Sequence, residues 1–172
     1  MKRLFGLTLA ALLILSLPLA AQQPGSLVCK VNPGRAGVFV DGKYLGPAAN
    51  FRVARTYGVS AGEHELKLVE PRYQEITKKV TVTAGKKTVV KETMTALPVP
   101  KPPFGRIRTE NKDKFAAVYV NGKYYGHADE FSNADQGLLI PPGEYEVRVE
   151  PLSGSPVVQK VKVEENKTVI VK

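Results

Sequence analysis

The stretch AGVFVDGKYLG, Ala36 to Gly46, returns as AAVYVNGKYYG, Ala116 to Gly126, eighty positions later. Nine of the eleven positions are identical or exchange close chemical relatives, as Phe39 for Tyr119 and Asp41 for Asn121. Each copy sets branched and aromatic residues, which favour extended backbone, on both sides of Asp-Gly or Asn-Gly. A two-residue type I′ turn needs positive φ at both centres, and Asn, Asp and Gly reach it at least cost. Asp41-Gly42 and Asn121-Gly122 therefore predict two tight hairpins, and their repetition predicts a duplicated β unit.

The repeat extends outward from the hairpins. YGVSAGEHELKLVEP from Tyr57 is answered by LLIPPGEYEVRVEP from Leu138, and VTVTAGKKTVV from Val80 by VKVEENKTVI from Val161. The second copy gains one residue before Gly143 and loses one before Glu150-Pro151. Runs such as HELKL, KVTVT, YEVRV and KVKVE alternate with period two, the mark of a half-buried strand, and helical periodicity is absent. The expected organisation is an all-β chain with one domain over residues 26–95 and a second over 104–172. The proline-rich stretch 96–103 between them reads as a short stiff spacer.

Upstream, Lys2 and Arg3 precede an apolar run from Leu4 to Leu17 and a small-residue exit at Pro18 to Ala21. The run is shorter than the roughly 20 residues a membrane span needs, so residues 1–21 read as a secretory signal peptide. Cys29 is the only cysteine, so no internal disulfide can form. It lies eight residues past Ala21, too far for lipid attachment, and the alternation in LVCKV sets it beside Leu27 and Val31 as a buried small hydrophobe.

The order of strand, V-[FY]-V-[DN]-G-K-Y-x-G, polar loop, and a second strand opening on Gly-Glu-His or Gly-Glu-Tyr resembles the PEGA domain family. The likeness covers nearly all of both copies, although the glycine-centred turns read SAGEH and PPGEY. The resemblance implies two tandem small β-sandwiches of the immunoglobulin/transthyretin-like kind. It also implies a non-catalytic module, periplasmic or extracellular at the cell surface, often found in tandem.

The residues themselves offer no catalytic set. His64 aligns with Tyr145 on the face of Leu66 and Leu68, and His127 lies in an acidic turn with Asp129, Glu130 and Asp135 whose spacing fits no calcium loop. No serine, histidine and carboxylate trio is apparent, and no cofactor or metal is expected. Charge is more informative. Twelve basic and six acidic residues lie between Ser26 and Thr95, against ten and ten between Phe104 and Lys172. The basic first copy, through Arg52, Arg55, Lys78, Lys79, Lys86 and Lys87, is expected to meet an anionic envelope polymer, a membrane surface or an envelope protein. A second reading has exposed Tyr44, Tyr124 and Tyr125 stacking on sugar rings. Nucleic acid is disfavoured, for want of a basic helix or a stacking platform, and the chain is expected to be a monomer.

Overall fold

The computed structural model describes residues 23–51 and 56–172; the stretch 1–21 read as a signal peptide lies outside them. Two units of seven strands repeat one plan. The first comprises β1 (Gly25–Asn32), β2 (Gly37–Val40), β3 (Lys43–Pro47), β4 (Tyr57–Val59), β5 (Gly62–Val69), β6 (Ile76–Val82) and β7 (Lys87–Thr93). The second comprises β8 (Gly105–Thr109), β9 (Ala117–Val120), β10 (Lys123–His127), β11 (Leu138–Ile140), β12 (Gly143–Glu150), β13 (Val157–Val163) and β14 (Thr168–Val171). Each unit stacks a three-stranded sheet, β4-β1-β7 or β11-β8-β14, on a four-stranded one, β3-β2-β5-β6 or β10-β9-β12-β13. The fold is thus two small β-sandwiches. No α-helix occurs among the described residues, only a 3-10 turn after each hairpin, at Ala48–Phe51 and Ala128–Phe131.

Alternation builds each core. Leu27, Cys29 and Val31 of β1 face Leu66 and Leu68 of β5 and Val80 and Val82 of β6, with Phe51 of the 3-10 turn inserted among them. In the second sandwich Ile107, Val118, Val120, Val147, Val149, Val161, Val163 and Phe131 do the same. Burial pushes the Cys29 thiol up to about 12, which leaves it an inert core residue.

Both hairpins turn as the sequence predicts, with φ of 50° at Asp41, 48° at Asn121 and 77° at Gly42 and Gly122. A Cβ added to Gly42 or Gly122 would meet nothing within 4 Å, so substitution there costs backbone strain alone. Gly122→Val is expected to destabilise the second domain by about 1–3 kcal/mol, read as a lowered urea midpoint. A midpoint equal to the parent's would refute the turn geometry.

The one continuously buried run in each sandwich departs from simple alternation. Every residue of β2 and of β9 is buried, because these strands bury both faces. Their inner side chains fill their own sandwiches. Their outer side chains join a third cluster of Phe39, Tyr44 and Val69 with Ala117, Tyr119 and Tyr124, which seals the outer face of one four-stranded sheet against that of the other.

Candidate functional site

The predicted tyrosine platform is corrected by this seam. Tyr44 and Tyr124 are 8% and 4% exposed, and their ring centroids lie 5.5 Å apart across the domain boundary. Buried against each other, they offer no face to a sugar. Tyr125 is turned aside by a bulge: Tyr124 pairs with Tyr119 and Gly126 with Val118, leaving Tyr125 as the extra residue. It leans half-buried on the second core, with the Lys123 ammonium 5.8 Å from its centroid.

The six basic residues named above do not form one surface. Arg52 and Arg55 lie outside the described residues. Lys78 is on the inner face of β6, at the rim of the sandwich, where its Nζ donates to Glu92 Oε1 of β7 at 2.5 Å. Lys79 points to the opposite face, 4.0 Å from Glu63. Lys86 and Lys87 are exposed at the β6–β7 turn, with no ion-pair partner among the described residues.

A different basic surface emerges from strand register. β1 and β7 run parallel, pairing Ser26 with Lys87, Val28 with Val89, Lys30 with Lys91 and Asn32 with Thr93. All these side chains point away from the core, on the outer face of the three-stranded sheet. Lys30, Lys87 and Lys91 therefore share one face, with Lys86 at its edge, and none has an acidic partner within ion-pair distance among the described residues. Elsewhere in this domain four glutamates are engaged: Glu63 with Lys79, Glu70 with Arg35, Glu75 with Lys67 and Glu92 with Lys78.

Lys30 and Lys91 stand directly opposite each other, an arrangement of like charges that destabilises a sheet. The second domain resolves the same position differently. There the counterparts are Glu110 and Lys172, 4.0 Å apart. Its other outward cations are occupied as well: Arg108 donates to Ser132 O at 2.9 Å and Arg106 to Ala134 O at 3.2 Å, pinning the loop after the 3-10 turn. Among the described residues, the outer three-stranded sheet of the first domain thus carries Lys30, Lys87 and Lys91 with no ion-pair partner, whereas the equivalent sheet of the second pairs Lys172 with Glu110. Sequence reading missed Lys30 and Lys91 because they become neighbours only through the parallel pairing of β1 with β7.

The histidines are structural neighbours of carboxylates. His127 Nδ1 lies 2.7 Å from Glu130 Oε1. His64 Nδ1 is 2.6 Å from Asp41 Oδ2 and its Nε2 is 2.9 Å from Ser60 O, while Asp41 Oδ1 accepts the Glu65 N–H at 2.9 Å. Both ring nitrogens face acceptors, so the imidazolium satisfies both. The Asp41 hydrogen bond holds the His64 pKa above its ordinary 6.5, and the His64 hydrogen bond holds Asp41 below 3.8. A raised histidine contributes stability fully present below 6.5 and lost as pH rises through the folded value. The protein's melting temperature is expected to fall over that rise, and Asp41→Asn to flatten the profile. An unchanged pH profile in the variant would sink the assignment. Among the described residues no group of three or more His, Cys, Asp or Glu is placed to hold a metal ion.

The described residues thus form two β-sandwiches joined at a sheet face, with an unpaired lysine face on the outer sheet of the first. Residues 25–97 match the PEGA domain, and the first of the two domains belongs to that family. It is a family of non-enzymatic modules that occur in exported proteins. Among solved structures, the Bacillus anthracis TIE protein is similar over 87% of this chain and 34% of its own, at 17% identity and a TM-score of 0.33. The chain thus spans about a third of that protein's length. No curated protein matches it. No helix among the described residues is long and apolar enough to cross a membrane.

Proposed function

We propose that the protein is an exported, non-catalytic envelope module whose first domain binds a polyanionic envelope component through the outer face of β1 and β7. The observation that carries this reading is the Lys30–Lys91 pair in register, uncompensated where the second domain places Glu110 beside Lys172. A repulsive pair on an exposed sheet is relieved by a bound anion. Lys86 and Lys87 extend the same field along the β6–β7 turn, and the second domain serves as a near-neutral companion.

The sharpest test borrows the second domain's own residue. Lys30→Glu should leave folding intact or improve it, by giving Lys91 a partner, while weakening attachment. Against vesicles containing phosphatidylglycerol, and against a soluble anionic polysaccharide, the parent should bind at low salt and weaken as screening shortens. The variant should bind about tenfold less tightly, since a lysine near an anionic surface contributes about 1 kcal/mol and reversal removes more than one such term. Binding that is salt-insensitive, or equal in parent and variant, would reject this face. Preference for one probe decides between a membrane surface and a polymer.

A further inference from the structure

The seam between the domains is built from equivalent residues. Phe39 corresponds to Tyr119, Tyr44 to Tyr124 and Gly37 to Ala117, each eighty positions apart, and all but Gly37 belong to the shared cluster. Tyr44 meets its own counterpart Tyr124 at 5.5 Å, as residues do beside a two-fold axis. Phe39 meets Tyr124 edge-on at 5.4 Å, and the Tyr124 ring lies so close to β2 that a Cβ on Gly37 would sit 2.7 Å from it. Equivalent positions of the two units thus face one another, as in an isologous interface in which one patch serves both partners, although only Phe39–Tyr124 of the two reciprocal ring pairs is formed.

The connection between the partners is not itself part of the packing. Thr95 to Leu97 are tied to the first domain, with the Leu97 N–H donating to Arg72 O at 2.7 Å, but residues 98–103 are exposed throughout, with Val99 at 88%, so no docking of the spacer on the second domain fixes which second domain a first domain must meet. From these two observations we infer that the seam is also a surface for a second copy of this chain. In the exchanged dimer, Phe39 and Tyr44 of each copy pack on Tyr119 and Tyr124 of the other. Both forms bury the same side chains, and the balance between them is set by the spacer. A short connection that spans the gap gives the internal partner an effective concentration of about millimolar, and one that cannot span it gives almost none. The closed monomer therefore prevails in dilute solution. Crowding at a surface, or a spacer under tension, favours exchange, and the exchanged form carries two lysine faces in place of one.

The experiment shortens the spacer. Deleting Pro98 to Lys101 should convert the protein from a monomer to a dimer at concentrations on the order of micromolar, doubling the mass measured by light scattering after size exclusion. Tyr124→Ala in the shortened chain should return it to monomer. A shortened chain that stays monomeric, or that dimerises equally well with Tyr124→Ala, would overturn the inference. Should the shortened chain fail to fold, the native-length protein is refolded at about millimolar concentration and diluted before analysis. A slowly decaying dimer, abolished by Tyr124→Ala, supports exchange, and monomer alone overturns it.

Discussion

Tyr124→Ala is expected to split one cooperative unfolding transition into two and to separate the domains while each keeps its fold. Tyr124 touches Phe39, Tyr44 and Tyr119 yet belongs to neither sandwich core, so its loss falls almost wholly on the seam. Truncating a buried aromatic costs about 3–5 kcal/mol, with tilted and edge-on ring pairs each adding about 0.5–1.5 kcal/mol beyond area. A contact of that size couples two marginal domains of some seventy residues; without it each should melt by itself. Calorimetry reads the split, and small-angle scattering reads the extended shape. A single transition at the parent's temperature would show that the domains are held by something other than this ring.

Tyr124→Phe makes the complementary case. The hydroxyls of Tyr44 and Tyr124 are buried without a hydrogen-bond partner, and removing an unpartnered hydroxyl is neutral or stabilising. Phenylalanine should therefore hold the seam that alanine opens. The same burial raises both phenol pKa values. An acid whose folded value is raised remains protonated after the unfolded chain has ionised, so stability falls as pH climbs past the ordinary value of 10.0. Alkaline opening, followed by tyrosinate absorbance, should occur at lower pH in the Tyr124→Ala protein.

The hairpins, the duplication and the two cores were legible because each rests on local chemistry: positive φ at Asp41 and Asn121, and alternation along β5 and β6. The seam was legible only in retrospect. GVFV and AVYV do not alternate; they are apolar at every position, as befits a strand buried on both faces, and Phe39 and Tyr119 occupy positions that one sandwich alone would leave to solvent. The sequence reading leaves the tyrosines after the turns exposed, whereas packing against the sister domain buries Tyr44 and Tyr124. The lysine face had no local signal. Lys30 and Lys91 are separated by most of a domain, and only the parallel register of β1 with β7 places them side by side.

A single missing residue gives the last contrast, in which one motif predicts two unlike outcomes. Glu70-Pro71 and Glu150-Pro151 match as sequence, but β5 and β12 reach them in different phase. Val69 pairs with Gly37, whereas Glu150 pairs with the equivalent Ala117. In a strand, a shift of one residue moves a side chain to the other face. Glu150 is consequently half-exposed on the outer face, beside Arg148, which also lies 4.0 Å over the Tyr119 ring. Glu70 is 3% exposed, held by Arg35 Nε at 3.2 Å, Arg72 Nε at 2.8 Å and the Arg72 N–H at 2.9 Å. Removing both arginines strands a buried carboxylate, which in a fully buried setting costs about 3–5 kcal/mol. Because Arg35 and Arg72 are themselves about half in solvent, the lower end, about 3 kcal/mol, is expected for the Arg35→Ala, Arg72→Ala protein. Glu150→Ala should change stability by less than about 1 kcal/mol. Urea titrations of the two variants check the pair. Equal effects would mean that the register difference does not govern the glutamates. A large loss confined to the first domain would trace the divergence of the two copies to one deleted residue.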